Sequence, residues 1–189
     1  MIDYYRKYSK EELWNMDPVS VYKIVLYGKY NKKFPNNYWD RPDCLDLCKQ
    51  IVRFLIEEQL KWSREQIKEC LSIKTFTDNG LNGMLQVVFN KSPYAAIENT
   101  YPGSFHPWEF SSCTVGFWNK DTAKDANVWL LEKKLKWSDE DIKNNLSTEV
   151  FHNNGLRGML RVVFKGSPYA TIDNAYPEKF KRIDLKGCK

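Results

Sequence analysis

The chain has 189 residues, of which 42% are apolar and 15% aromatic, a composition that excludes a disordered tail and leaves room for one core or two small ones. No apolar run approaches the roughly 18 residues of a membrane helix, and the polar start "MIDYYRKYSKEELW" lacks the apolar centre of a signal peptide, so a cytoplasmic protein without a membrane partner is expected. The formal net charge of +5 divides into +1 over 1–59, +1 over 60–105, 0 over 106–134, 0 over 135–180 and +3 over 181–189, so the excess lies in a short tail rather than over the whole surface.

In chain order, "SKEELWNMD" reads as a helix, and "PVSVYKIVLYGKY" fits helix or strand by its pattern. Asn36-Asn37 marks a boundary, which makes residues 1–37 an N-terminal leader. A helix follows from about Asp43 to Leu60, with Leu47, Ile51, Phe54 and Leu55 forming an apolar stripe. Ser63 has the position of an N-cap for a short second helix, because "SREQIKECL" puts acidic and amide groups where backbone N–H groups lack partners. A third piece near Thr75 to Asp78 ends at Asn79-Gly80, a pair suited to a left-handed turn. Leu81, Met84, Leu85 and Val88 then form the buried stripe of a helix ending near Phe89. Ser92-Pro93 restarts a helix that carries Tyr94, Ile97 and Tyr101 inward and stops at Pro102. Two short helices joined by a tight turn are compatible with a helix-turn-helix-like arrangement.

The unit is written twice. Placing Leu60 on Leu135 gives a constant offset of 75 residues, with about 28 of 46 positions identical through Phe105 and Phe180. Upstream, "YWDRPDCLDLCKQIVRFLIEEQLKWS" corresponds to "FWNKDTAKDANVWLLEKKLKWS", about one helical turn shorter, and Ser138 takes the place of Ser63. The expected architecture is mainly α: a leader over 1–37, a first helical repeat over 38–110 and a second over 111–189 with a basic tail, joined through "YPGSFHPWEFSSCTVG".

Positions shared by the copies are mostly apolar, Gly, Pro or capping residues, so they describe a fold, and Trp62, Trp137, Tyr94, Tyr169, Tyr101 and Tyr176 belong with them. Function is sought where the solvent face differs. The first copy has Asn82, Gln86 and Asn90, and the second Arg157, Arg161 and Lys165, at i, i+4 and i+8 on one helix face. Amides pair with base edges and cations with phosphates or guanine, so the copies divide reading from anchoring if the partner is DNA. The alternative is an ordinary solvated face. The tail cations Lys179, Lys181, Arg182, Lys186 and Lys189 join the same surface or form a free solubilising end. Glu98, Asp173 and "SDEDIK" oppose phosphate and must turn away from it.

Enzyme signatures are scarce. There is no phosphate-binding Gly loop, no H-E-x-x-H and no G-x-S-x-G. Asp43, Glu57, Glu58 and Lys61 faintly suggest a metal-dependent nuclease, but such clusters need adjacent strands and these residues fall on a helix. Cys44, Cys48, Cys70, Cys113 and Cys188 form no C-x-x-C pair and have only His106 and His152 beside them, so neither a metal nor a cofactor is expected. His152 aligns with Thr77 and reads as a surface residue.

The words "YWDRPD", "LKWSDEDI", "FHNNGLRGML" and "SPYATIDNAYP", with "HPWEF" after the first copy, resemble a repeat domain found in uncharacterised proteins of Gram-positive bacteria and their phages. The resemblance covers the chain from about Pro35 onward. Some members accompany homing-type nucleases, which implies a DNA-targeting accessory role and no catalytic residues. The second copy departs in having "KRIDL" where the first has "HPWEF". The expectation is a non-catalytic DNA-binding protein, a regulator or targeting module on duplex DNA through residues 82, 86, 90, 157, 161, 165, 179, 181 and 182. The alternative is a protein–protein interaction module, such as a phage-encoded inhibitor of a host protein.

Overall fold

The computed structural model describes residues 1–110 and 117–188. Among them every regular element is helical: twelve α-helices, short 3-10 and π-helical turns, and no strand. The described residues fall into two compact units divided at Ser112 and Cys113.

Side-chain caps define the short helices of the first unit. Helix α1 (Lys10–Asn15) begins with a reciprocal box between Ser9 and Glu12. The ambiguous segment after it is helix α2 (Pro18–Tyr27), because Asp17 accepts from the Ser20 N–H at 2.9 Å and Pro18 takes the first helical position. Its buried Tyr22 shares a core with Ile51, Leu55, Phe76 and Met84, and the Tyr22 hydroxyl donates to the Asn79 carbonyl at 2.9 Å. The leader is thus packed into the first unit. A smaller cluster of Tyr8, Leu13, Val21, Ile24, Tyr38 and Leu47 adjoins that core.

The long helix comes in two parts: α3 (Cys44–Phe54) widens into a π-helical turn over Leu55–Gln59. Lys61 turns left-handed with φ 52°, and the Trp62 N–H reaches back to Ile56 at 3.0 Å. Helices α4 (Arg64–Cys70), α5 (Ile73–Asp78), α6 (Asn82–Val87) and α7 (Pro93–Thr100) follow. Ser63 and Gln66 form the expected capping box, and Ser92 accepts from Ala95 N–H. Gly80 has φ 72°, a value that L side chains resist, which explains glycine after Asn79. Helix α6 is shorter than its apolar spacing predicts. Asn90 and Lys91 both adopt positive φ, and the Lys91 N–H closes on Leu85 at 2.8 Å, so Val88 and Phe89 belong to the turn. Ile97 is buried as expected, whereas Tyr94 and Tyr101 are half-buried with their hydroxyls engaged at the surface.

The second unit contains α8 (Lys120–Val128), a π-helical turn over Trp129–Lys134, and α9 (Asp139–Asn145), α10 (Thr148–Asn153), α11 (Arg157–Phe164) and α12 (Pro168–Ala175). Contacts of the first unit recur 75 residues later: Leu156 N–H bonds Phe151 at 2.8 Å as Leu81 bonds Phe76 at 2.8 Å, and Asn174 bonds Lys120 at 2.9 Å as Asn99 bonds Leu45 at 3.0 Å. Gly83 and Gly158 have one cause. A Cβ at Gly83 would lie 3.6 Å from the Trp39 Nε1, and one at Gly158 would lie 3.5 Å from the Trp118 Nε1, ordinary contact distances that show each indole packing beside the corresponding glycine. This contact is why an aromatic-Trp pair opens each unit.

Candidate nucleic-acid interface

Burial divides α11 into two faces. Met159, Leu160 and Phe164 enter the core, which turns Arg157 and Arg161 to solvent, and Lys165 caps the helix in the left-handed region with φ 50°. None of the three forms an ion pair within the described residues. Cations elsewhere behave differently. Arg41 grips Asp43 at 3.0 Å, Lys74 holds Asp78 at 2.7 Å, and Lys68 binds Glu109 at 2.9 Å.

Asn82 and Gln86 are exposed on α6, with Gln86 Nε2 donating to Asn82 Oδ1 at 3.4 Å, whereas Asn90, expected on the same helix face, is exposed in the left-handed turn that follows the helix. An exposed valine accompanies each strip, Val87 at 59% and Val162 at 62%. Lys179 is already engaged. It donates to Asp139 at 2.7 Å and lies 5.4 Å over the rings of both Tyr176 and Phe180. Lys181 and Arg182 are exposed, but their backbone is held: a 3-10 turn spans Arg182–Asp184, and Leu185 is fully buried. Gly187 approaches the Leu146 carbonyl so closely that a Cβ would lie 2.3 Å from its oxygen. A free solubilising end therefore does not describe residues 181–187; their charges are presented from an anchored backbone.

The acidic residues are largely occupied by structure. In "SDEDIK", Asp141 accepts from the Ser138 N–H at 2.9 Å and Asp139 pairs with Lys179, so the cluster caps its own helix. Asp43 is bound by Arg41, and Glu57 accepts the Tyr101 hydroxyl at 2.9 Å, which assigns structural tasks to two of the four groups that suggested a nuclease. Burial followed by the carboxylates Glu57 and Glu132 pushes the Tyr101 and Tyr176 hydroxyls well above the usual tyrosine value. Among the described residues no three His, Cys, Asp or Glu side chains converge as metal ligands. His152 is exposed, and Cys113 lies outside the described residues.

The clearest difference between the units lies after each copy. "HPWEF" forms a clasp. Its 3-10 turn (Pro107–Glu109) buries Trp108 and Phe110, and Phe110 meets the ring of Tyr94 at 5.7 Å. Burial pushes the Glu109 carboxyl up, but the His106 N–H at 2.8 Å and Lys68 hold it below its ordinary value. Tyr94 donates to Glu98 at 3.2 Å and to the Phe105 carbonyl at 3.3 Å, and its hydroxyl is pushed up to about 12 by burial and then by Glu98. "KRIDL" makes the same backbone turn with different side chains: Leu185 is buried in the place of Phe110, but Ile183, in the place of Trp108, is 84% exposed.

Among the described residues no helix is long and apolar enough to cross a membrane. No curated protein and no solved structure matches the chain. Residues 19–106, which run from α2 of the leader through the first unit to the start of the clasp, are similar to an uncharacterised family whose model is described as "Protein of unknown function (DUF4046)".

Proposed function

We propose that the chain binds duplex DNA without catalysing a reaction on it, as a cytoplasmic regulator or targeting module of phage or mobile-element origin. The observation that carries this reading is the solvent side of α11 and its cap, where Arg157, Arg161 and Lys165 are exposed without an ion pair among the described residues. A cation already paired releases little on meeting a phosphate, whereas a free one displaces condensed counterions. Lys181 and Arg182 add charge from an anchored backbone, and Lys179 contributes least because Asp139 neutralises it. The amides Asn82, Gln86 and Asn90, with Val87 beside them, offer base-edge donors and acceptors and a methyl surface for thymine. Two weak contacts in one chain gain through effective concentration.

The test is the salt dependence of duplex binding. Each phosphate contact contributes a slope of about 0.9 in log affinity against log salt, so Arg157→Ala with Arg161→Ala reduces the slope by about 2, while Asn82→Ala with Gln86→Ala leaves it unchanged and narrows sequence preference. If neither duplex nor single-stranded DNA binds at low salt, the reading is lost. A protein partner is the second reading, favoured by the exposed Val87 and Val162 and by Leu45 at 53% exposure. It predicts binding that survives moderate salt and is weakened by Val162→Asp.

A further inference from the structure

The second unit contains a groove of about 390 Å³ between the start of α8 and the α11–α12 turn. Its walls are Val163, Phe164 and the Tyr169 ring, with Lys120 and Lys165 as its cations and Asp173 as its carboxylate. Asn174 fixes the rim by donating from Nδ2 to the Lys120 carbonyl at 2.9 Å. A volume near the lower end of the range for small-ligand sites suits one nucleotide and no larger cofactor.

The polar groups of this groove have no internal work. The Tyr169 hydroxyl, the Asp173 carboxylate and the Lys120 and Lys165 ammonium groups make no hydrogen bond or ion pair with a described residue. In the first unit the same tyrosine is satisfied twice, by Glu98 and Phe105, and Glu98 also accepts the Gly103 N–H at 2.9 Å. Leu45 and Asn90 stand there in place of the two lysines. The groove of the second unit thus exchanges internal satisfaction for two cations, a phenol and a carboxylate that face solvent beside an apolar wall.

We propose that this groove is a nucleotide subsite: a phosphate sits between Lys120 and Lys165, the attached base lies against Tyr169 and Val163, and an exocyclic amino group of the base donates to Asp173. The proposal rests on the DNA reading for its source of ligand, an unpaired nucleotide of the bound strand, because a paired base enters a groove only after an unpairing and unstacking cost that an unpaired base largely escapes. A free nucleotide carries the same chemistry. Asp173, which repels a bare phosphate backbone, gains a task as a selector of amino-bearing bases.

The experiment titrates the intact chain with a fully paired duplex, with the same duplex carrying one unpaired deoxyadenosine or one unpaired thymidine, and with 2′-deoxyadenosine 5′-monophosphate alone. The unpaired deoxyadenosine tightens binding by about tenfold over the paired duplex, a factor typical of one stacked base. Lys120→Ala, at an exposed side chain, abolishes that gain and leaves the paired duplex unaffected. Asp173→Asn removes the preference for deoxyadenosine over thymidine. If paired and unpaired duplexes bind equally and the mononucleotide produces no Lys120-dependent shift, the groove proposal falls while DNA binding stands. If no duplex binds but the mononucleotide does so through Lys120, DNA binding falls and the nucleotide site stands, with free nucleotide as its source.

Discussion

The first unit engages the hydroxyl of the half-buried tyrosine at the start of α7 with Glu98 and the Phe105 carbonyl, and the second leaves the equally half-buried tyrosine of α12 beside a groove with no hydroxyl partner among the described residues. The helices behind the two tyrosines share their features, from the widened π-helical turn at Leu55–Gln59 or Trp129–Lys134 to the proline at the start of α7 or α12. What differs is the five residues that follow. Trp108 is 9% exposed and Glu109 is tied to Lys68, whereas Ile183 is 84% exposed and Lys143 has, among the described residues, only Glu140, at 3.9 Å, for a partner. A scaffold held by packing and caps tolerates exchange of its closing segment, and with it the exchange of a sealed surface for an accessible one.

The most severe way to probe this shared scaffold is to hollow it. Phe76 and Phe151 are fully buried at corresponding places, so Phe76→Ala and Phe151→Ala each cost about 3–5 kcal/mol in chemical denaturation; a large inequality would break the equivalence of the two cores. The clasp is next. Glu109→Gln costs about 1 kcal/mol, because the Lys68 ammonium, 18% exposed, loses its nearer carboxylate at 2.9 Å and retains Glu65 at 3.4 Å, while Asp184→Asn in the second unit changes stability by less than about 0.5 kcal/mol. The same pair predicts a pH dependence. Glu109 is held below its ordinary value in the fold, so its contribution is complete above the unfolded value of about 4.3 and disappears as pH falls through the lower folded value. Acid unfolding monitored by circular dichroism is therefore shallower for Glu109→Gln than for the parent chain.

Two further effects of similar size sharpen the comparison. Asn127 is fully buried, with Nδ2 donating to the Thr171 carbonyl at 3.3 Å and Oδ1 without a partner, where the first unit has Val52. Asn127→Val therefore stabilises the second unit by about 1 kcal/mol, measured as a raised denaturation midpoint, because the unsatisfied acceptor is removed from a site whose shape already suits valine. Ser63→Ala and Ser138→Ala each cost about 1 kcal/mol, since both serines accept from the third helical N–H of α4 and α9. Unequal costs would show that the acidic first turn of α9 supplies part of the capping energy.

Much of this was legible in the residues. The serines at 63, 92 and 138 marked helix starts because a hydroxyl beside an unpaired N–H acts locally, and Gly80 marked a turn because its positive φ excludes most side chains. The exposed cations of α11 followed from helical period. Helix α2 was ambiguous for a physical reason: its alternating valines suit either state, and Asp17 with Pro18 decides only once the segment can bury Tyr22 against α3. The end of α6 was misplaced because the apolar spacing continues through Val88 and Phe89 although the backbone has already turned left-handed at Asn90 and Lys91.

The sequence by itself determined that the chain is helical, where its helices start, and which face of each meets water, because caps, turns and periodicity act over a few neighbouring residues. Only the tertiary structure decided which charges are free and which tyrosine is open. Lys179 and Lys165 look alike along the chain, but one reaches Asp139, 40 residues away, and the other reaches no carboxylate among the described residues. Tyr94 and Tyr169 are the same residue in the same motif and are equally half-buried, and it is the engagement of one hydroxyl by Glu98 and the Phe105 carbonyl, with no partner for the other among the described residues, that separates a satisfied surface from a candidate site.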